Sequence, residues 1–229
     1  MLLGIDLRAI GMRDGRKDID TLWSEARGFA NALAPEVRTL WVTDAACEFR
    51  AFGRKATRDP FELWRISQYY DLAGCRIAPG EGVFNKEGGS AFAKNNLHKH
   101  LKAEYPGTSA VIVMGGYTER CVASTVYDAL RLGYKCHVAT DLLFEQTRND
   151  AVEMNLWNET LLRSHLRQKF ERDGLSSEDG MKNLFCDSAE KIIELFKPGS
   201  PGPDSSLAKE KPALPQGQTP VPFNPQPVG

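Results

Sequence analysis

The apolar positions of this chain alternate between short continuous runs and longer stretches of helical spacing. Short runs of four to eight apolar residues are typical of buried strands, whereas apolar residues three and four apart are typical of helices packed on one face. The run SAVIVMG at 109–115 is the strongest buried strand in the chain. By these criteria the sequence predicts strands at 2–6, 37–44, 82–86, 109–115 and 135–140, and helices at 20–33, 60–72, 93–105, 119–132, 156–170 and 187–196, the last with Asp187 as its N-cap.

Strands that alternate with helices predict an α/β fold. Such an order implies crossover connections and a mostly parallel sheet that is covered on both faces. Ligands of parallel sheets bind beyond the carboxyl ends of the strands, so the polar residues that end the apolar runs are the candidate site. These residues are Asp6, Asp44, Lys86, the segment from Tyr117 to Cys121, and Asp141.

The last 32 residues differ in composition from the rest of the chain. Residues 198–229 contain nine of the 13 prolines, and proline neither continues a helix nor donates to a sheet. The sequence therefore predicts a folded domain at 1–197 and a flexible Pro-rich tail at 198–229. A docking strip for a proline-binding domain is the alternative reading of the tail, although no PxxP core flanked by a basic residue stands out.

Composition and charge narrow the class of protein. The chain has 41% hydrophobic and 26% charged residues and a formal net charge of -1, without the basic stripe that a nucleic-acid partner would require. No segment approaches the roughly 20 apolar residues of a membrane span, and the first apolar run is too short for a signal peptide, so we expect a cytoplasmic protein. Five scattered cysteines without a CxxC pair predict reduced thiols rather than disulfides or a zinc site.

Cys121 lies where a strand gives way to a helix. With Thr118 as the predicted N-cap, Cys121 falls in the first helical turn, where unpaired N–H groups and the helix dipole favour a thiolate and lower its pKa. A packing role is the alternative, because most cysteines are small buried hydrophobes. A redox role is a further alternative, which would need Cys47 or Cys136 to approach in space.

A nucleophilic thiol also needs a base and a site for the oxyanion. Asp6 ends the first strand and reaches the same edge of the sheet, although an aspartate there also suits a phosphate acceptor or a metal ligand. Lys86 ends another strand, where it would hold a carboxylate or thiolate ionised; the alternative is an exposed surface lysine. The order acid, lysine, cysteine is more specific than any one of the three.

That order and its surroundings resemble the isochorismatase-like cysteine hydrolases, the superfamily of nicotinamidases and N-carbamoylsarcosine amidohydrolases. The matching segments are LLGID ending at Asp6, FNKEGGSAF around Lys86 with Phe92 at its end, and GGYTERCV around Cys121. The resemblance covers roughly residues 1–197 by order of elements and is strongest at 109–141. It implies a three-layer α/β/α sandwich with a mostly parallel central sheet.

The resemblance also implies roles for these residues. Asp6 would accept the proton of the thiol, Lys86 would hold the reactive ionisation states, and Cys121 would attack a carbonyl carbon to give a covalent acyl-enzyme. Backbone N–H groups of Tyr117 and Cys121 would bind the oxyanion, next to a cis peptide bond between Gly116 and Tyr117. Arg8, Phe92 and Tyr117 would be the candidates for binding substrate.

The chain departs from the nicotinamidases in two places. The aspartate of their metal motif is present as Asp44, but Ala46 stands where the first histidine would be and no histidine precedes His98, so the sequence predicts no metal ion and no other cofactor. Arg8 replaces a glutamine of the family, and with Arg13 it suggests an anionic substrate or two solvated surface arginines.

Together these observations predict a metal-independent cysteine hydrolase that cleaves a C–N bond, in an amide or ureide, of a small molecule. By analogy with the family we expect a homo-oligomer, a dimer or larger, with no nucleic-acid and no membrane partner. The alternative is a non-catalytic member of the fold that acts as a protein-interaction module through its surface or its Pro-rich tail.

Overall fold

The computed structural model describes residues 1–6, 19–43, 81–86, 88–144 and 154–198. The predicted helix at 60–72, the residues Arg8, Arg13 and Asp44, and the tail beyond residue 198 lie outside these ranges. The division into a domain at 1–197 and a tail at 198–229 therefore stays a prediction. Among the described residues, no helix has the length and apolar character needed to cross a membrane.

The centre of the fold is a parallel sheet of six described strands in the order β3-β2-β1-β4-β5-β6. Each adjacent pair is parallel, which places the carboxyl ends of all six strands at one edge. The strands are β1 (Leu2–Ile5), β2 (Thr39–Thr43), β3 (Gly82–Asn85), β4 (Ala110–Gly116), β5 (Lys135–Phe144) and β6 (Leu184–Asp187).

Helices cover both faces of this sheet. The helices are α1 (Ile19–Leu33), α2 (Asn96–Glu104), α3 (Ala123–Arg131), α4 (Met154–Arg172), the single turn α5 (Ser177–Gly180) and α6 (Ala189–Phe196), with a 3-10 turn at Ala93–Asn95 and a π-helical turn at Thr118–Val122. One core cluster joins α2, α3 and α4 to the first face, and a second joins α1 and α6 to the other face. The predicted three-layer α/β/α sandwich is confirmed.

The side chains of the strands alternate between these two cores, as the pleat requires. Leu3 and Ile5 of β1 belong to the first cluster, whereas Leu2 points to the other face of the sheet and belongs to the second. All three are completely buried. The short apolar run at the start of the chain is therefore a central strand, buried on both sides.

One strand was missed and two N-cap predictions were wrong. Strand β6 was not predicted, and Asp187 belongs to it rather than capping α6, whose N-cap is Ser188; the Ser188 hydroxyl accepts from the N–H of Lys191 at 3.3 Å. Thr118 is not the N-cap of the helix after β4, because Tyr117 holds that position with an extended backbone and Thr118 is fully buried inside the turn. In both cases the predicted cap has another place in the fold, since Asp187 pairs with Ala139 in the sheet and Thr118 is enclosed by the core.

Strand β5 contains an irregularity that later matters for the site. Val113 of β4 pairs with Val138, and the next aligned pair is Gly115 with Leu143. The chain thus advances two residues along β4 and five along β5. The extra residues of β5 interrupt its pairing with β4 before that pairing resumes at Leu143, as in a β-bulge of more than one residue.

Candidate active site

The carboxyl ends of three strands bring Asp6, Lys86 and Cys121 together. The Nζ of Lys86 lies 2.9 Å from Oδ2 of Asp6 and 3.4 Å from Sγ of Cys121. Asp6 follows β1, Lys86 follows β3, and Cys121 lies in the π-helical turn after β4. The lysine therefore bridges the acid and the thiol, and the three residues that the sequence selected share one site.

Asp6 has the backbone conformation of a tight turn, with φ of 45°. Asparagine and aspartate tolerate this left-handed region better than other residues with side chains. Its N–H donates to the carbonyl of Val42 at 2.9 Å, which holds the end of β1 against β2. The carboxylate is consequently fixed in place, and the residue as a whole is only 6% exposed.

Gly115 allows β4 to approach Asp6. A Cβ atom at this position would lie 2.0 Å from the carbonyl oxygen of Ile5, and the backbone φ of 108° is one that side-chain-bearing residues rarely adopt. Only glycine permits this contact between the ends of β1 and β4. The first of the two glycines after SAVIVM is therefore a packing requirement of the site.

The side chain of Lys86 has no exposed surface. Besides Asp6 and Cys121 it contacts the carbonyl oxygen of Gly88, to which Nζ donates at 2.9 Å. The loop that follows is tied to the helix carrying the thiol, because the N–H of Ala91 donates to Oγ1 of Thr125 at 3.0 Å. A buried ammonium is stable only when it is paired and hydrogen-bonded, as it is here.

Cys121 is half-buried in a turn that is wider than an α-helix. The N–H of Val122 donates to the carbonyl of Tyr117 at 3.1 Å, a spacing of five residues, and α3 continues directly from this turn. Single π-turns of this kind are frequent at functional sites. The cysteine thus stands at the start of a helix, as the sequence indicated.

The expected low pKa of this thiol was wrong. The pKa of Cys121 is raised to about 12, mainly by burial and then by the negative charge of Asp6 and a hydrogen bond with its carboxylate, while Lys86 acts in the opposite direction. Desolvation and a neighbouring carboxylate therefore outweigh the helix terminus and the ammonium. In this arrangement Cys121 is a neutral thiol whose proton is shared with an adjacent base.

The peptide bond between Gly116 and Tyr117 is cis, where the resemblance placed one. The Tyr117 ring lies in the second core cluster, on the opposite side of the sheet from the core against which Cys121 packs. Phe92 is 2% exposed, in the first core cluster with its ring centroid 5.4 Å from that of Tyr134. Phe92 thus packs in the core and the ring of Tyr117 is similarly enclosed, and their role in binding substrate stays a prediction.

Asp141, which the sequence placed at the end of a strand, lies within β5 and is structural. The carboxylate of Asp141 accepts from the N–H of Ala189 at 2.8 and 3.1 Å through its two oxygens, so it caps the start of α6 instead of facing the thiol. Arg8 and Asp44 lie outside the described residues. Within the described ranges, no three histidine, cysteine, aspartate or glutamate side chains form a group that could hold a metal ion.

The sequence analysis missed two supporting residues. Gly88 and Thr125 position Lys86 and its loop, yet neither belongs to an apolar run or ends a strand. The available signal was spacing, since Thr125 lies four residues after Cys121, one helical turn along, and so on the same face. The glycines at 88 and 89 would have signalled a close backbone approach.

Comparisons with known proteins concern the family and the fold of the chain. A family model described as the isochorismatase domain matches residues 30–159. Among solved structures, the chain is similar to an isochorismatase-like hydrolase from Alkaliphilus metalliredigens, with 17% identity, 86% of this chain and 98% of that chain covered, and a TM-score of 0.53. It is also similar to an isochorismatase family protein from Desulfovibrio vulgaris, with 20% identity, 85% and 96% covered, and a TM-score of 0.52. The search of curated proteins returned no match.

Proposed function

Because the chain belongs to the isochorismatase family of hydrolases, we propose that it is a cysteine hydrolase that cleaves a C–N bond of a small molecule. The observation that carries the proposal is the position of the Lys86 Nζ, 2.9 Å from the Asp6 carboxylate and 3.4 Å from the Cys121 sulfur. An acid, a cation and a thiol in mutual contact at the edge of a parallel sheet are the components of nucleophilic catalysis.

The first half of the reaction forms an acyl-enzyme. Since the thiol is neutral at rest, its proton passes to the Asp6 carboxylate as Sγ of Cys121 attacks the carbonyl carbon. The developing oxyanion accepts hydrogen bonds from the backbone N–H groups of Tyr117 and Cys121. When the C–N bond breaks, the leaving nitrogen takes the proton from Asp6, and a thioester remains on Cys121.

The second half hydrolyses the thioester. The Asp6 carboxylate, again unprotonated, accepts a proton from water as the water oxygen attacks the same carbonyl carbon. The thiolate that leaves is stabilised by Lys86 and then regains its proton from Asp6. One water is consumed, an amine and an acid are released, and the resting thiol is restored.

The cysteine itself narrows the substrate class. The resemblance implies that family members which cleave an enol ether lack this nucleophile, so Cys121 supports acyl chemistry on an amide or ureide. The proposal includes no metal ion, because Ala46 stands where the family's first metal-binding histidine would be and no histidine precedes His98. We further propose a homo-oligomer and a cytoplasmic location, as the family resemblance suggests.

The test is a screen of small amides and ureides for release of ammonia or amine. We expect at least one compound to be turned over by the wild type, and Cys121→Ala to lose at least about 1000-fold in kcat, because nucleophile and acyl-enzyme disappear together. Incubation with a slow substrate should add the mass of the acyl group to the peptide containing Cys121.

Cys186→Ala is the matched control. Cys186 is also half-buried, and burial raises its pKa to about 12 as well, but its neighbours are Arg163 and Glu159 on α4 and not the Asp6–Lys86 pair. This variant should retain full turnover. If Cys121→Ala hydrolysed the same amides at the wild-type rate, the proposed mechanism would be refuted.

A further inference from the structure

A buried amide on α4 holds together the part of β5 that faces the site. Asn158 has no exposed surface, and its Nδ2 donates to the carbonyl oxygens of Thr140 at 3.0 Å and Leu143 at 3.2 Å. A side-chain amide has two hydrogens to donate, so both are used. Asn158 therefore joins two carbonyls of one strand that lie three residues apart.

These two carbonyls span the end of the β-bulge. Thr140 lies within the irregular stretch, and Leu143 is the residue at which pairing with β4 resumes, opposite Gly115. Phe144 then pairs with Gly116, the residue that begins the cis peptide bond. The two hydrogen bonds from Asn158 therefore hold the irregular stretch of β5 at a fixed length. The residues of β5 that follow it pair with β4 next to the proposed oxyanion site.

The pairing of β4 with β5 also lies close to Asp6, the acid of the site. Gly115 lies between Leu143 on one side and Ile5 on the other, so close to Ile5 that a Cβ at Gly115 would lie 2.0 Å from the Ile5 carbonyl oxygen. Asp6 follows Ile5 directly. A shift of β5 relative to β4 would therefore move the Gly116–Tyr117 peptide, whereas the ion pair between Asp6 and Lys86 is held from β1 and β3.

We propose that Asn158 is a positioning residue for the reaction. It sets the alignment of β5 with β4 and hence the position of the Tyr117 N–H donor. This inference rests on the proposed function. The chemistry of the side chain supports it, since among the described residues the buried Oδ1 of Asn158 makes no hydrogen bond. Burying an amide oxygen without a hydrogen bond destabilises the fold, and an apolar residue at this position would avoid that cost. The two hydrogen bonds donated by Nδ2 therefore explain why the position holds an amide.

The experiment compares two probes of Cys121. p-Nitrophenyl acetate transfers its acetyl group to the thiol through an oxyanion and releases p-nitrophenol, whereas iodoacetamide alkylates the thiol by displacing iodide, without an oxyanion. Asn158→Leu keeps a similar shape but removes both donors. We expect acylation to slow by about 10- to 100-fold, the effect of displacing a reacting group by about 1 Å, and alkylation to change by less than about threefold.

Two further variants separate positioning from folding. Thr140→Val removes a different hydrogen bond of the same bulge, the one of 3.3 Å from Oγ1 of Thr140 to the carbonyl of Asp187. Both probe rates should stay at the wild-type level in this variant. Asn158→Asp is isosteric and donates one hydrogen bond only when its carboxyl group is protonated. Its acylation rate relative to wild type should recover as the pH is lowered, which a merely structural role would not produce.

The outcomes are distinct. Acylation by Asn158→Leu at the wild-type rate would overturn the inference, and so would equal losses in both probes or an equal loss in Thr140→Val. Acylation that is as fast in Cys121→Ala as in wild type would instead refute the proposed function, and this inference with it. The acylation rates are compared at a temperature at which circular dichroism shows each variant folded.

Discussion

Replacing Asp6 by asparagine should make Cys121 more reactive towards an alkylating agent while it abolishes turnover. Asparagine is the suitable substitute because it has the same shape and tolerates the φ of 45° at this position. The variant removes the negative charge that raises the pKa of the thiol and leaves the ammonium of Lys86, 3.4 Å from the sulfur, in place.

The size of the effect follows from the charges. Two unit charges about 4 Å apart interact by about 4 kcal/mol at an effective dielectric of 20, equivalent to about 3 pKa units. Cys121 is half-buried, so we expect solvent screening to reduce this to about 1 to 2 units below the wild-type pKa of about 12. Each unit raises the thiolate fraction about tenfold but lowers its intrinsic nucleophilicity about threefold, so alkylation accelerates by about 3- to 10-fold.

Turnover should change in the opposite direction. Loss of the base that accepts the thiol proton costs about 100- to 10,000-fold, the usual contribution of general acid–base catalysis. The assay is the rate of iodoacetamide labelling at pH 8, assigned to Cys121 by peptide mass spectrometry, alongside kcat on an amide from the screen. Labelling that is slower in Asp6→Asn than in wild type would refute the electrostatic account of the site. Lys86→Met tests the opposite sign, because it should slow labelling.

Two further predictions concern stability. Gly115→Ala should lower the free energy of unfolding by several kcal/mol, because its Cβ would lie 2.0 Å from the Ile5 carbonyl; Gly107→Ala, with nothing within 4 Å, is the control, and equal denaturant midpoints for the two would contradict the reasoning. His137→Phe should make the protein less sensitive to acid: burial against Phe185 and Phe196 lowers the pKa of His137 below 6.5, with Asp187 acting in the opposite direction. Below pH 6.5 the unfolded state therefore binds more protons at this histidine than the folded state. The free energy of unfolding of the wild type then falls by up to about 1.4 kcal/mol per pH unit as the pH drops from 6.5 towards the pKa of His137 in the folded protein, and above pH 6.5 it does not depend on this group. Denaturant unfolding at pH 7.5 and 5.5 measures it, and a wild-type loss no larger than the variant's would exclude this source.

Much of the fold could be read from the pattern of apolar residues. Strand β4 and helices α1 and α4 were predicted within one or two residues, because continuous runs and helical spacing reflect burial on two faces or on one. The short edge strand β6 was missed. Its burial is partial, and a four-residue run with an exposed Phe185 has too little pattern to separate it from the helix that follows.

The sequence by itself determined which residues were brought to one edge of the sheet. Asp6, Lys86 and the Tyr117–Cys121 segment end apolar runs, and parallel strands place all such ends together whatever the details of packing. Local sequence could not assign what each then does. Asp141 ends its apolar run in the same manner, yet its carboxylate accepts from the N–H of Ala189 at the start of α6, 48 residues later in the chain.

Only the tertiary structure decided the electrostatics of the site. A cysteine at the start of a helix suggested a thiolate, but the pKa of Cys121 is raised because burial and the Asp6 charge act over short distances that no spacing encodes. Phe92, in a motif of the site, became a core residue for the same reason: its neighbour Tyr134 lies on a distant segment. Asn158 gave no signal at all, since its role depends on two carbonyls that lie 15 and 18 residues earlier in the chain.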